Sequence, residues 1–209
     1  MKKNVFIALE GIDGSGKSSQ AKRLADALTG KGHKVYATFE PTNGYIGSII
    51  RNILRGTIKA DEKVIAGLFV ADRLDHLLNE DYGIVKKMQE GYTVITDRYY
   101  FSSYAYHGTH IDMGWVIEAN KMSASILRPD VNIFIDVPPQ VSMQRISAAR
   151  QGTELYETLE NLQNVRAKYM EAFDQLKQEE NIIIIAGNRG FDEIAADILA
   201  VAERLIVPV

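Results

Sequence analysis

Gly11-Ile12-Asp13-Gly14-Ser15-Gly16-Lys17-Ser18 decides the fold, because it fits the pattern G-x-x-x-x-G-K-[ST] of a phosphate-binding loop, or P-loop. It follows an apolar run at residues 5–9 and precedes a helical pattern at residues 16–29, the strand–loop–helix setting that this motif requires. We expect Lys17 to bridge the β- and γ-phosphates of a nucleoside triphosphate and Ser18 to ligate Mg²⁺. The predicted phosphate-binding residues are Gly11, Asp13, Gly14, Ser15, Gly16, Lys17, Ser18 and Ser19.

The rest of the chain alternates apolar runs with helical patterns. Predicted strands are residues 5–9, 34–39, 93–96, 131–137 and 182–185, rich in valine, isoleucine or phenylalanine. Predicted helices are residues 16–29, 45–55, 61–79, 82–89, 113–126, 140–149, 159–178 and 191–206. Such alternation is typical of an α/β fold, here a five-stranded, mainly parallel sheet flanked by helices. We predict a single domain over residues 1–209, with ligands bound beyond the carboxyl ends of the strands.

Composition excludes several classes of protein. The chain has 209 residues, a formal net charge of −3 and no cysteine. The charge argues against a protein that coats nucleic acid, and the lack of cysteine excludes disulfides and thiolate chemistry. No apolar run reaches the length of a membrane span, and residues 5–9 are read as a buried strand and not as a signal peptide. We therefore expect a cytoplasmic protein.

A second chemical segment, Asp97-Arg98-Tyr99, follows the third apolar run. An aspartate at the end of a strand suits the shell of a magnesium ion, and a neighbouring arginine can chelate a phosphoryl group through its planar fork. The alternative is a surface ion pair of little energetic consequence. The P-loop at the same sheet edge favours a catalytic role for Asp97, Arg98 and Lys17.

Not every P-loop protein is an enzyme, and a GTPase-like switch is the first alternative. Guanine recognition in that class uses an Asn-Lys-x-Asp tetrad. The nearest match is Asn120-Lys121-Met122-Ser123, which lacks the carboxylate and lies in a helical pattern instead of after a strand. This weakens the switch interpretation.

Four motifs together make the chain resemble a thymidylate kinase along nearly its whole length. They are Glu10 to Gln20, Glu40-Pro41-Thr42, Leu68-Phe69-x-x-x-Arg73, and Asp97-Arg98-Tyr99 followed by Ser102 and Ala105-Tyr106. The resemblance implies phosphorylation of dTMP to dTDP with ATP and Mg²⁺, in the synthesis of dTTP, by a homodimer. The alternatives left open are another deoxynucleotide kinase or a nucleoside kinase.

The resemblance also implies roles for individual residues toward dTMP. Phe69 is implied to stack on thymine and Arg73 to donate to a thymine oxygen, whereas helical spacing alone favours a core phenylalanine with a surface arginine. Asp13 is implied to reach the sugar 3′-hydroxyl, and Arg98 and Arg51 to bind the acceptor phosphate. The full predicted set for dTMP is Asp13, Glu40, Pro41, Arg51, Phe69, Arg73, Arg98, Tyr99, Ser102 and Tyr106. His107 is expected to line the base and sugar beside Tyr106 and Tyr99.

A lid is predicted at about residues 148–158, a polar stretch after a helix. Some thymidylate kinases carry an arginine in the P-loop; this chain has Gly14 there, so the resemblance implies a cation supplied by the lid. Arg150 is the expected contact to the transferring phosphate, Arg145 lies nearer the adenine or phosphates, and Asn188 frames the adenine. Phe39 and His107 depart from the usual residues of the family at their positions.

Overall fold

A computed structural model describes residues 4–149 and 155–206 of the chain. These residues form five strands and nine helices, with one to three helices between successive strands. The elements are β1 (Phe6–Glu10), α1 (Lys17–Gly30), β2 (Val35–Phe39), α2 (Tyr45–Leu54), α3 (Glu62–Leu78), α4 (Ile84–Gln89), β3 (Thr93–Asp97), α5 (Tyr100–His107), α6 (Met113–Ile126), β4 (Val131–Asp136), α7 (Pro139–Ala149), α8 (Leu159–Leu176), β5 (Ile182–Ala186) and α9 (Phe191–Ile206). The predicted strands are confirmed to within one residue at each end.

The strands form one sheet in the order β2-β3-β1-β4-β5, and all four pairings are parallel. This confirms the α/β class and the parallel sheet. β1 lies at the centre, with Leu9 in register with Asp97 of β3 and Glu10 in register with Phe134 of β4. The segments that follow β1 and β3 therefore emerge side by side, and the P-loop lies next to Asp97 and Arg98.

Both faces of the central strands are covered, which explains why β1 lacks alternating polarity. Phe6 and Ala8 belong to an aromatic-rich core with α5 and α8, whereas Ile7 and Leu9 belong to an aliphatic core with α1 and α9. All five residues of β1 are buried. Within the described residues no helix is both long and apolar enough to traverse a lipid bilayer.

One local prediction was wrong. No helix is predicted over residues 100–107, but they form α5, and all eight of its side chains are buried. A helix that is covered on every side has no polar face, so the periodic pattern that identifies amphipathic helices does not arise. The consequence is that Ser102, Tyr106 and His107 are held by a helix and not by a loop.

Candidate functional site

The P-loop joins β1 to α1 with the backbone geometry that its glycines permit. Gly14 and Gly16 have φ angles of 75° and 89°, in the left-handed region that favours glycine. A Cβ on Gly14 would lie 2.5 Å from the backbone oxygen of Ser142, because α7 packs directly on the loop. α1 begins at Lys17, so its first amides face the loop as in an anion-binding site.

Lys17 is buried inside the loop, where its Nζ donates to the Ile12 carbonyl oxygen at 3.3 Å and lies 3.7 Å from Asp13 Oδ1. Burial and the neighbouring Arg98 charge lower the pKa of the Lys17 ammonium from its ordinary value. Ser18 and Ser19 occupy the exposed first turn of α1. The loop thus brings the Lys17 ammonium group close to the first backbone amides of α1.

Asp97, the last residue of β3, lies against the P-loop helix. The Ser18 hydroxyl donates a short hydrogen bond to Asp97 Oδ2. The second oxygen, Oδ1, is buried and has no hydrogen-bond partner among the described residues. A hydroxyl next to a carboxylate with an unused oxygen is a donor set that suits Mg²⁺.

A cleft beside the loop gathers most of the predicted acceptor residues. It encloses about 630 Å³ of space, a volume that includes part of the open solvent at its mouth. Its predicted lining residues are Asp13, Pro41, Phe69, Arg98, Ser102, Tyr106 and His107. It is also lined by Leu54 and Ser103, which the sequence did not indicate, and by Tyr156 and Glu157 of the predicted lid.

Arg98 connects the cleft to the P-loop. Its guanidinium forms an ion pair with Asp13 and donates to Ser102 Oγ at 3.0 Å and to Tyr106 Oη at 3.2 Å. Tyr106 in turn donates to Asp13 Oδ2 at 2.8 Å. Burial opposes ionisation of Asp13, but Arg98 and Lys17 outweigh it and hold the pKa of the Asp13 carboxyl below its ordinary value. A positive group therefore faces the cleft within reach of the loop.

Glu10 lies behind Arg98 and was not predicted as a site residue. It is fully buried at the end of β1 and accepts hydrogen bonds from Ser102 Oγ at 2.6 Å and from Tyr169 Oη at 2.9 Å. Burial raises the pKa of the Glu10 carboxyl, although Ser102 and the Arg98 charge oppose the rise. A charged residue that ends an apolar strand is a sequence signal for such a site; Tyr169, in the middle of α8, gives none.

A loop for a triphosphate and a basic cleft for a second phosphate meet at one sheet edge, as in a phosphotransferase. Comparison with known proteins gives the decisive observation: the family model described as thymidylate kinase matches residues 9–198. The chain belongs to the thymidylate kinase family. It is thus an enzyme, a dTMP kinase that converts dTMP to dTDP.

Curated relatives match over most of their length. A protein of Methanococcus aeolicus is 38% identical over 200 residues, which covers 94% of each chain. Proteins of Pyrococcus horikoshii and Pyrobaculum calidifontis are 35% and 39% identical, covering 95% and 96% of this chain and 96% of each relative. All three carry the name "Probable thymidylate kinase".

In the cleft of this thymidylate kinase, the rings of Phe69 and His107 pack at a tilt of 55°, with centroids 5.1 Å apart. Phe69 is half-buried, so it is not a core residue. His107 is 2% exposed, and its Nδ1 has no hydrogen-bond partner among the described residues. An aromatic face beside an unused polar atom is the kind of surface that a nucleobase needs.

Arg73 lies one helical turn after Phe69 but is 1% exposed, so the alternative of a surface arginine was wrong. Its guanidinium donates to Glu40 Oε2 through both Nε and Nη2, to the Tyr99 carbonyl oxygen, and to side-chain oxygens of Ser103 and Asn120. All five N–H groups therefore have protein partners. A thymine oxygen would have to replace one of them.

Glu40 and Pro41, joined by a cis peptide bond, form the turn after β2. Glu40 is buried and also lies 3.1 Å from His76 Nδ1, so the turn is fixed to α3. Arg51 donates to the carbonyl oxygens of Pro41, at 3.1 Å, and Thr42, and shares a depression with Ser18 and Pro41. The structure thus places Arg51 at the outer rim, apart from the Arg98 cleft lining.

Tyr99 is the predicted substrate residue that the structure directs away from the cleft. Its side chain is fully buried, packs edge-on against Phe6 and donates to the Leu127 carbonyl oxygen at 3.0 Å. It follows Arg98, whose backbone has the unusual φ of 73°. The reversal of the chain there turns Arg98 to the cleft and Tyr99 into the core.

On the donor side, Arg145 of α7 donates to the Ser15 carbonyl oxygen at 3.4 Å and to the Gly187 carbonyl oxygen at 3.1 Å. It therefore joins the P-loop to the segment that contains Asn188, which is exposed. Arg150 lies outside the described residues. The described end of the predicted lid, residues 155–158, packs on the cleft, where Tyr156 donates to Glu62 Oε2 at 2.7 Å.

The guanine-binding alternative is not supported by the structure. Asn120 lies inside α6, is 1% exposed and binds Arg73, so it is part of the core and not of a nucleotide site. The partial match to the Asn-Lys-x-Asp tetrad therefore reflects a buried structural asparagine and not a guanine site.

Proposed function

We propose that this thymidylate kinase transfers the γ-phosphoryl group of ATP to the phosphate of dTMP bound in the Arg98 cleft, with Mg²⁺ on the donor. The observation that carries the proposal is the ion pair between Asp13 of the P-loop and Arg98 of the cleft. Because the two side chains touch, a triphosphate on the loop and a monophosphate on Arg98 would meet end to end.

ATP would bind with its phosphates on the loop amides and Lys17, and with adenine near Arg145 and Asn188. Ser18 and Asp97 would hold Mg²⁺, which supplies charge neutralisation on the phosphates. The fit rests on the unused Asp97 oxygen beside the Ser18 hydroxyl. Among the described residues no group of three or more His, Asp or Glu could hold a metal ion, so the nucleotide and water would complete the shell, as is usual for Mg²⁺.

The chemistry requires alignment and charge screening more than proton transfer. The phosphate of dTMP is already largely ionised at neutral pH, since its second pKa is about 6, so no general base is needed. Arg98, and Arg51 from the rim, would hold this phosphate for in-line attack on the γ-phosphorus. Lys17 would draw charge from the transferring group. Arg150 is retained as a predicted lid contact to that group.

The nucleoside would lie deeper in the cleft. Phe69 would stack on thymine, Tyr106 would line the sugar, and Asp13 would accept a hydrogen bond from the 3′-hydroxyl. Asp13 suits this role because its lowered pKa keeps it ionised. Arg73 would donate to a thymine oxygen that replaces one of its present partners, or would act indirectly by holding Ser103 at the wall of the cleft.

A panel of acceptors tests the proposal. ADP formation is measured with ATP and dTMP, dUMP, UMP or thymidine, and we expect the highest kcat/KM with dTMP. Arg98→Ala should lower kcat/KM for dTMP by roughly 10- to 100-fold, the worth of hydrogen bonds to a charged group. Arg23→Ala, an exposed arginine of α1 paired with Asp192, is the matched control.

Each other outcome identifies a different function. Turnover confined to thymidine would make the protein a nucleoside kinase, and no acceptor-dependent ADP would leave a nucleotide-binding switch. Full activity of Arg98→Ala would show that the acceptor phosphate binds elsewhere. The homodimer, the single domain over residues 1–209 and the cytoplasmic location remain part of the proposal. Light scattering, which measures the molar mass in solution, tests the homodimer.

A further inference from the structure

Arg98 is held in a backbone conformation that an arginine does not choose. Its φ of 73° is the one positive value at a non-glycine position among the described residues. For such a residue the left-handed region costs on the order of 1 kcal/mol, so the surrounding structure must enforce it. Strain of this kind at a residue that lines the cleft calls for an identified restraint.

The restraint comes from the last two residues of β1. The Arg98 amide donates to the Leu9 carbonyl oxygen at 2.9 Å, and the next amide, of Tyr99, donates to Glu10 Oε1 at 2.8 Å. The Arg98 carbonyl oxygen accepts from Thr96 Oγ1 at 2.8 Å. Both peptide units of Arg98 are therefore fixed: the first by the backbone of Leu9, and the second by the side chains of Glu10 and Thr96.

Glu10 also caps α5 from another element. The N-cap residue of α5 is Tyr99, whose side chain makes no capping hydrogen bond. Instead, Glu10 Oε1 accepts from the Ser102 amide at 3.3 Å, the third residue of the helix. This is the bond that a capping side chain normally makes, and a negative charge is favourable at that end.

The other carboxylate oxygen acts on the Arg98 side chain. Ser102 Oγ donates to Glu10 Oε2 at 2.6 Å, which leaves the lone pairs of the hydroxyl free to accept from Arg98 Nη1 at 3.0 Å. Tyr169 Oη donates to the same oxygen at 2.9 Å. Glu10 thus fixes both the backbone of Arg98 and one edge of its guanidinium.

We propose that Glu10 is a positioning residue for acceptor binding, which fixes Arg98 in its left-handed backbone and turns the guanidinium toward the acceptor phosphate through Ser102. The proposal rests on the proposed function, since it concerns the same phosphate. In this way Glu10, a buried carboxylate outside the cleft lining, would contribute to substrate binding through Arg98.

The test is dTMP binding measured by calorimetry in a double-mutant cycle. Glu10→Gln keeps the shape but removes the charge and forces both hydroxyl partners to reverse. We expect it to weaken dTMP binding on the order of tenfold in the wild-type background, with ATP binding changed less than about twofold. In the Arg98→Ala background Glu10→Gln should have no further effect, because its route to the ligand is gone.

Glu180→Gln is the matched control. Glu180 is also buried and also accepts from a tyrosine, Tyr100 Oη at 2.7 Å, but it lies outside the cleft. It should lower thermal stability without changing dTMP binding. Should Glu10→Gln fail to fold, Ser102→Ala tests the same link, with a smaller loss of affinity that also disappears in the Arg98→Ala background.

Equal weakening by Glu10→Gln in both backgrounds would overturn the proposal, as would unchanged dTMP binding together with a loss of stability like that of Glu180→Gln. Wild-type turnover with dTMP, measured on the same preparation, separates this failure from failure of the proposed function.

Discussion

His107 makes the stability of the protein depend on pH in a way that a single substitution should remove. The imidazole is 2% exposed beneath Phe69. Burial, with smaller contributions from the positive charge of Arg73 and from His110, lowers its pKa from 6.5 to about 3. Between these two values the unfolded chain binds a proton that the folded chain does not. Stability is therefore complete above pH 6.5 and falls as the pH decreases toward 3.

The magnitude follows from linkage. Each pH unit in that window costs about 1.4 kcal/mol, so a change from pH 7 to pH 5 should cost about 2 kcal/mol through His107 alone. Other groups titrate in the same range, and the comparison with a His107→Gln variant cancels them. Glutamine is polar and of similar length but has no proton to gain.

Urea unfolding at pH 8, 7 and 5 measures the effect. The wild type should lose about 2 kcal/mol more than His107→Gln between pH 7 and pH 5. The two proteins should show a nearly constant difference between pH 8 and pH 7, which serves as the internal control. Parallel curves across the whole range would refute the argument, because they would mean that the buried imidazole accepts a proton as readily as one in water.

Three further substitutions test other parts of the site. Gly14→Ala places a methyl group 2.5 Å from the Ser142 carbonyl oxygen and should lower stability by roughly 1–3 kcal/mol in thermal denaturation; an unchanged Tm would mean that α7 does not pack on the loop. Arg73→Met leaves buried Glu40 with His76 Nδ1 at 3.1 Å but without its guanidinium partner, and should cost roughly 3–5 kcal/mol in urea unfolding, with part of the loss recovered by adding Glu40→Gln. If Glu40→Gln recovered nothing, the loss would not come from the charge of Glu40. Lys17→Ala should reduce kcat at least about 100-fold with the fold intact by circular dichroism, and a variant that kept half its activity would remove Lys17 from the mechanism.

The positions of β1, β3 and β4 could be predicted closely because their apolar runs are buried on both faces of the sheet, whereas the exposed edge strands β2 and β5 were recognised from their β-branched and aromatic residues alone. α5 could not, since Tyr100 and its neighbours are covered on all sides and give no period. The helix also shows how tertiary structure decides what a local pattern leaves open.

For the site, the P-loop and the Asp97-Arg98 pair were predictable because each follows a recognisable strand and the sheet brings such ends together. Tyr99 was not, because the left-handed turn at Arg98 reverses the direction of the next side chain. The cleft contact of Tyr156, within the predicted lid, could not be assigned from the sequence, because its position depends on residues far apart in the chain: Glu62 of α3 and the rings of Tyr106 and His110.

The strand order has a consequence for synthesis of the protein on the ribosome. Even the most closely spaced ladder partners, such as Asn132 and Ile182, are 50 residues apart, and β1 pairs only with strands that begin at Thr93 and Val131. Long-range pairing of this kind is slow to form. The nascent chain therefore carries its phosphate loop without a scaffold at first, and the loop gains both supporting strands only once β4 has been synthesised, as far as Asp136.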